Sequence, residues 1–392
     1  MTEAQDADRG SAGKVFFYVQ HLLGIGHLAR ASRISRALVQ AGFDVTLVTG
    51  GAPVAGFPGA GIGHVQLPAV VASNNGFSAL SDLDGNPVDA AFEQARTARL
   101  LDAFHATRPD VVILEAFPFG RRQVRFELLP LIQAIEAAKP RPLLFSSIRD
   151  ILQENRKAGR DRETVDLIRA HFDGVLVHGA PEFVRLEETF ALTPEIADRV
   201  HYTGLVAPPA PEPSPDRFDT VISAGGGAVG SLLIGAALEA RTLLDDGSSW
   251  CVITGPNLPQ ADYDRFEACA GENVSLFRFR PDFPSLLPAA SLSISQAGYN
   301  TVCDLLVARC RALLVPFAAG GETEQCVRAE KLQALGLARI VSEEGLTGKA
   351  MAEAILATRG LVVPQNLPIA LDGAAETARF IRACLDKRTD TP

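Results

Sequence analysis

The 392-residue chain carries 46 acidic against 37 basic side chains, a formal charge of −9, which excludes a broad nucleic-acid face and confines any anion site to a local patch. With 47% hydrophobic residues, 34 Gly and 25 Pro, it is too long for one ordinary core and suits two α/β domains of about 200 residues each. The six cysteines (Cys251, Cys269, Cys303, Cys310, Cys326 and Cys384) show no CxxC spacing and the opening MTEAQDADRGSAG is polar, so a disordered tail over 1–13, reduced thiols and a cytoplasmic location are expected.

In chain order, KVFFYVQ is an apolar strand, HLLGIGHLAR its following loop, and Leu28 to Ala41 a helix with arginines on its outer faces. FDVTLVTGG is the next strand, so the chain opens as the βαβ start of a Rossmann-like domain spanning 14–206. GIGH is not GxGxxG, and no acid closes the second strand, which argues against a dinucleotide. In that turn Gly26 precedes His27, whose imidazole titrates near neutral pH and suits proton abstraction from a hydroxyl or from water; a structural cap is the other reading.

The polar stretch Ser73 to Pro87 is a long loop, and its Asp82-Leu83-Asp84 reads as a solvated turn. A helix is expected over Val88 to Thr107. RPDVVILE puts Glu115 at the carboxyl end of a buried strand, and PLLFSSIRD does the same for Arg149. Between them Arg121, Arg122 and Arg125 alternate with Phe117, Phe119 and Phe126. This patch fits an anionic acceptor, a membrane surface, another subunit, or merely a solvated helix face. Gly26, Glu115, Arg122 and Arg149 are the candidates on this side.

Five prolines between Pro208 and Pro215 mark a linker over 207–217. The pattern then restarts over 218–370. In DTVISAGGGAVGSLLIGAALEARTLL, the glycines Gly225, Gly226 and Gly227 let the backbone approach a ligand, and the helix that follows favours negative charge. Without GK[ST] the loop is not a nucleotide-hydrolysing P-loop. Val221 to Leu238 is uncharged and long enough for a membrane span, but its glycines read as strand, loop and helix. Leu292 to Gln325 is a second βαβ unit whose two loops share one sheet edge, where a phosphorylated ligand is expected. A final helix covers 371–392.

SQAGYNTVCDLL followed by LLVPFAAGGETEQ resembles the donor half of the MurG-like glycosyltransferases of the GT-B group; AGGGAVG and GIGH sit where that family has glycine-rich loops. GIGHLAR is also similar to the GxGHxxR turn of the nucleotide-sugar hydrolase of pseudaminic acid synthesis. The resemblance implies two Rossmann-like domains facing across a cleft, with the last helix crossing back to the first. It implies a UDP-sugar or similar donor held by Gly225 to Gly227, Gly298, Tyr299, Asn300 and Thr301, with Asp304 on the ribose and Glu324 and Gln325 on the sugar. The family's acid is usually Glu rather than Asp, and its polar pair differs from Glu-Gln. Phe279 and Arg280 fall in the loop that reads the base. His27 would be the base of an inverting, metal-independent transfer, with no cofactor, to a saccharide or lipid-linked acceptor of polysaccharide biosynthesis at the inner face of a membrane. A nucleotide-sugar hydrolase or epimerase, or a non-catalytic binding protein, are the alternatives.

Overall fold

The computed structural model describes residues 11–22, 26–73, 76–153, 159–225, 230–364 and 366–389. Of the expected tail, residues 1–10 lie outside this range. The chain forms two compact units, the first made of residues up to 181, 185–206 and everything from Asp372, the second of 182–184 and 207–371.

The first unit runs β1 (Lys14–Val19), α1 (Gly26–Gln40), β2 (Asp44–Thr49), β3 (Gly63–Gln66), β4 (Val71–Ser73), β5 (Gly76–Ser81), α2 (Ala90–Thr107), β6 (Val111–Glu115), α3 (Arg125–Ala137), β7 (Leu143–Arg149), α4 (Arg160–His171), β8 (Gly174–His178) and β9 (Val200–Tyr202). Seven of these strands form an all-parallel sheet in the order β3-β2-β1-β6-β7-β8-β9. The sheet is covered on both faces, which is why β1 is apolar throughout rather than alternating. Phe16 and Tyr18 enter the cluster with Leu100, Phe104 and Leu128, while Val15, Phe17 and Val19 pack with Leu28, Ile34 and Leu38 of α1. Ala378 and Ile381 of the last helix join the α1 side, so that helix belongs to the first unit.

The long polar stretch is more ordered than expected: β4 and β5 pair as an antiparallel hairpin. Asp82 then closes the turn, its carboxylate accepting from the backbone N–H of Asp84 and Asn86 and from the Asn86 amide. The local hydrogen-bonding capacity of Asp and Asn accounts for the shape of this turn.

The second unit runs β10 (Thr220–Ser223), α5 (Ser231–Leu244), β11 (Trp250–Ile253), α6 (Gln260–Cys269), β12 (Val274–Phe277), α7 (Phe283–Leu286), β13 (Leu292–Ser295), α8 (Tyr299–Ala308), β14 (Ala312–Leu314), α9 (Glu324–Ala334), β15 (Arg339–Ile340) and α10 (Gly348–Arg359), with α11 (Gly373–Thr389) returning to the first unit. Its parallel sheet has the order β12-β11-β10-β13-β14-β15. Counted within each parallel sheet, both read 3-2-1-4-5-6, the first with a seventh strand added at the end. Their order reverses between the first and fourth strands, the point at which such sheets hold ligands. Val221 to Leu238 is β10, loop and α5, and among the described residues no helix is long and apolar enough to cross a membrane.

Beside the first reversal lies a buried polar network that sequence patterning does not suggest. Arg96 of α2 donates to both Glu127 oxygens (Nε to Oε2 at 2.6 Å, Nη2 to Oε1 at 3.0 Å), to Gly50 O at 2.9 Å and to Gln20 Oε1 at 2.5 Å; it also bonds Pro68 O. Tyr18 donates to Glu127 as well. Arg96 and Glu127 are both fully buried. One guanidinium thus ties the ends of β1 and β2 to two helices. Removing one partner of a buried pair typically costs about 3–5 kcal/mol because the other charge is left uncompensated. We expect Glu127→Ala to destabilise the first unit by about that amount, read as faster amide exchange in β1, β2 and β6. A loss below about 1 kcal/mol would show that the network is not what holds these loops.

Candidate active site

At the reversal of the first sheet, α1 begins beside the carboxyl end of β6. His27 and Arg30 are three residues apart and therefore share a helix face. Both reach Glu115, the last residue of β6: His27 Nδ1 lies 2.6 Å from Glu115 Oε1, and the Arg30 guanidinium bonds the same oxygen. Glu115 is completely buried. Burial opposes its ionisation, but His27, Arg30 and Arg121 together hold it well below the usual carboxylate range. Burial likewise acts on His27, overcoming the pull of Glu115 and pushing the imidazole down to about 4. At neutral pH the pair is therefore a carboxylate and a neutral imidazole. A carboxylate only accepts, so Nδ1 carries the proton and donates it to Glu115. Nε2 is left with its lone pair, the form a general base requires.

A pocket of about 190 Å³ opens beside this pair, lined by His27, Arg30, Glu115, Arg121, Arg149 and Gln153 with apolar neighbours. Of the acceptor-side candidates, Gly26 opens α1, and Glu115 and Arg149 line the pocket. Arg122 does not: it bonds Glu163 of α4, Arg160 O at 2.7 Å and Thr164 Oγ1 at 3.2 Å. Arg125 reaches the same Glu163 at 2.7 Å. The expected basic and aromatic patch is thus divided. Phe117 is buried, Phe119 stacks edge-on with Phe190 and lines the pocket, Arg122 and Arg125 are paired with Glu163 of α4, and of the three arginines it is Arg121 that lines the pocket. Arg30 and the proton-holding role of Glu115 were not singled out from sequence, and Arg121 was read there only as one member of the basic and aromatic patch. The His27-to-Arg30 spacing was the available signal.

At the reversal of the second sheet, the ends of β10 and β13 are followed by α5 and α8. Gly225 has φ +74, a conformation glycine adopts without strain. Gly226 and Gly227 lie outside the described residues. Gly298 caps α8 with φ −65 and ψ 146 and no side-chain capping bond, and a Cβ there would meet no atom within 4 Å. The space above this helix N-terminus is therefore open to a ligand, and the positive end of the helix dipole there favours an anion. Buried Gln296 stands beside it, its Nε2 without a hydrogen-bond partner among the described residues. Asn300 and Thr301 are half-buried in the first turn, Tyr299 is buried, and Asp304 lies a turn further on, 9% exposed.

The remaining donor candidates make contacts within the second unit. Glu324 is buried and ion-paired with Arg328 at 2.7 Å, and Arg328 also donates to Ala297 O at 2.9 Å and lies over the Tyr299 ring. Gln325 Oε1 accepts from Ala297 N at 3.0 Å and Phe317 N at 3.2 Å. These side chains tie the two loops together, which leaves less of them for a sugar. Arg280 grips Asp282 and, across the proline-rich linker, Asp216 at 2.8 Å, while Phe279 is exposed. Among the described residues no group of His, Cys, Asp and Glu is arranged to hold a metal.

Residues 221–360 match the glycosyltransferase family 28 C-terminal domain. The chain is 37% identical over 89 residues to the UDP-N-acetylglucosamine–N-acetylmuramyl-(pentapeptide) pyrophosphoryl-undecaprenol N-acetylglucosamine transferase of an Exiguobacterium species, covering 23% of this chain and 25% of that one. It is 25% identical over 186 residues to the enzyme of the same name from a Synechocystis species, covering 45% and 50%. The chain thus spans between a quarter and a half of the length of these curated relatives. Among solved structures, it superposes on the kitacinnamycin glycotransferase with a TM-score of 0.61 at 14% identity, covering 96% and 98% of the two chains. Acinetobacter baumannii MurG gives 0.57 at 13% identity, covering 94% and 95%. The glycosyltransferase VinC, solved with DTDP, gives 0.59 at 15% identity, covering 95% and 96%. At such identities the shared property is the fold, which is GT-B, and the MurG-like character read from the motifs is borne out.

The open space at Gly298 separates a ligand contact from a folding requirement. Since φ is negative and a methyl fits, Gly298→Ala should leave the melting temperature within about 2 °C of wild type, because the small cap and entropy effects oppose each other. If phosphate oxygens pack on this turn, the same methyl should weaken nucleotide diphosphate binding tenfold or more in calorimetric titration. Unchanged binding would move the ligand away from α8.

Proposed function

From a GT-B chain whose second unit carries a family 28 glycosyltransferase domain, we propose that the protein transfers a sugar from a nucleotide diphosphate donor to an acceptor hydroxyl with inversion. The observation that carries this is the His27–Glu115 pair: an imidazole kept neutral, its tautomer fixed by an ionised carboxylate, beside a pocket at the sheet reversal. His27 Nε2 takes the proton of the acceptor hydroxyl as the oxygen attacks the anomeric carbon. The bond from that carbon to the diphosphate breaks, and the nucleotide diphosphate leaves with the bonding pair. Glu115 then stabilises the imidazolium until its proton is released. This is the division of labour of a base and its orienting acid.

The second unit holds the donor in this proposal. The dipoles of α5 and α8, whose N-termini stand at the sheet reversal, favour the diphosphate and the charge that grows on it as the bond breaks. That role for the helices supports a metal-independent transfer, for which activity should survive exhaustive chelation. A uridine nucleotide donor and a saccharide or lipid-linked acceptor follow the printed activity of the curated relatives, and with them contact with a membrane surface. Gln325 and Glu324 are read here as residues that shape the donor loops, with Asp304 kept as the candidate for the ribose.

A screen of nucleotide diphosphates and their sugars by thermal shift identifies the donor, since a ligand of the folded state raises the melting temperature by mass action. No shift with any of them would remove the transferase reading. With the donor in hand, His27→Ala should lower turnover by about 10² to 10⁴ while leaving donor affinity unchanged. Equal turnover would exclude His27 as the base.

The pH dependence has a definite sign. The base acts unprotonated, and its folded-state pKa is lowered from 6.5 to about 4, so kcat/KM should stay level as pH falls from 7.5 to 5. A half-drop near 6.5 would mean that the imidazole is not desolvated as described.

A further inference from the structure

Resting on the transferase reading, we propose that Arg121 is the acceptor-selecting residue, its guanidinium binding an anionic oxygen, carboxylate or phosphate, carried by the acceptor near the hydroxyl that His27 deprotonates. The pocket beside His27 is lined by three guanidinium groups, Arg30, Arg121 and Arg149, against one carboxylate, Glu115, among the described residues. Arg30 is committed to Glu115. The Arg121 guanidinium makes no hydrogen bond or ion pair among the described residues, and its Nε is buried without a partner. Burial makes the charge of a partly buried cation in this state expensive; Glu115 attracts it, and the nearby Arg149 and Arg30 repel it.

The neighbours of Arg121 show that the expense is not forced by sequence. Arg122 and Arg125 are both supplied with Glu163, and Arg96 a short distance away with Glu127. Arg121 is also held with φ +58, a left-handed conformation that a non-glycine residue adopts at a cost. It follows Gly120 in the turn that begins at Ala116, itself at φ +62. The strained turn directs an unpaired cation into the pocket of the base, in a chain whose net charge is −9. A planar guanidinium with free donors matches a carboxylate or phosphate in two-point contact. The competing role is internal: Glu115 Oε2 also lacks a hydrogen-bond partner among the described residues, and Arg121 would then serve only to balance Glu115.

Thermal shift of the full chain with glycerol 3-phosphate, glycerate and glycerol, at constant ionic strength, distinguishes these roles. All three carry hydroxyls; only the first two carry an oxyanion, and comparing them separates phosphate from carboxylate. Because the helix N-termini of the second unit also attract anions, the readout is the difference between wild type and Arg121→Gln. We expect wild type to be stabilised by at least one of the anions and not by glycerol. Arg121→Gln should bind that anion at least tenfold more weakly, and Arg121→Lys should keep part of the response. Both variants should keep wild-type stabilisation by the nucleotide diphosphate, which also shows that they are folded.

Equal anion responses in wild type and Arg121→Gln, or no wild-type response beyond that to glycerol, would overturn the proposal. So would a variant that alters only the pH profile of kcat/KM, the signature of a residue that merely balances Glu115. Absence of nucleotide binding in wild type would instead defeat the transferase reading, and the anion comparison would still decide Arg121.

Discussion

One ionised carboxylate, buried at the end of a central strand, organises the first unit's site. Glu115 has no exposed surface, so its charge persists because α1 delivers Arg30 and His27 to it from one face and Arg121 adds its charge from the turn after β6. The contact fixes where α1 starts relative to β6, which imidazole nitrogen holds the proton, and which way the other nitrogen faces. Stability and chemistry are the same interaction here. A carboxylate in this position without its cations would be neutral, and the imidazole would lose its orientation.

The second unit repeats the strand order and solves a different problem without charge. Its reversal carries glycines, two helix N-termini and a buried amide in place of an acid–base pair. Rigidity is supplied from α9, whose Gln325 accepts from the loops after β13 and β14 and whose Arg328, neutralised by Glu324, holds Ala297 O. The loops after β13 and β14 are thereby held by side chains of α9, while the amide nitrogen of Gln296 keeps no hydrogen-bond partner among the described residues.

The fold was legible because parallel strands covered on both faces are continuous apolar runs, and KVFFYV, VVILE and GVLVH announce themselves as such. His27, Glu115 and Arg149 were legible for a related reason, since each lies just beyond a strand or in its following turn. What sequence did not show was pairing at a distance. Arg122 and Arg121 are adjacent and chemically identical, yet one meets Glu163 and the other the pocket, a choice made by a left-handed residue at 121 that no local pattern encodes. The same holds for Arg30, read as one of several outward arginines until β6 placed a carboxylate beside it. Glu324 and Gln325 were picked out by motif, but their bonds to Arg328, Ala297 and Phe317 depend on the return of α9.

The turn from Ala116 to Arg121 concentrates what remains unsettled by packing alone. Two of its residues take left-handed backbone angles that glycine would accept freely, at roughly 1–2 kcal/mol each for a residue with a side chain. Glycine at both places would lower that cost and also loosen the loop, since an added glycine widens the unfolded and the locally open ensembles alike. At Ala116 the methyl stiffens the exit from β6 immediately after Glu115. At Arg121 a long cation is kept where the backbone resists it and where its neighbours repel it. Strain and unpaired charge at one residue, bordering a pocket beside a histidine oriented by Glu115, are more economically explained by a ligand's charge than by the fold's own needs.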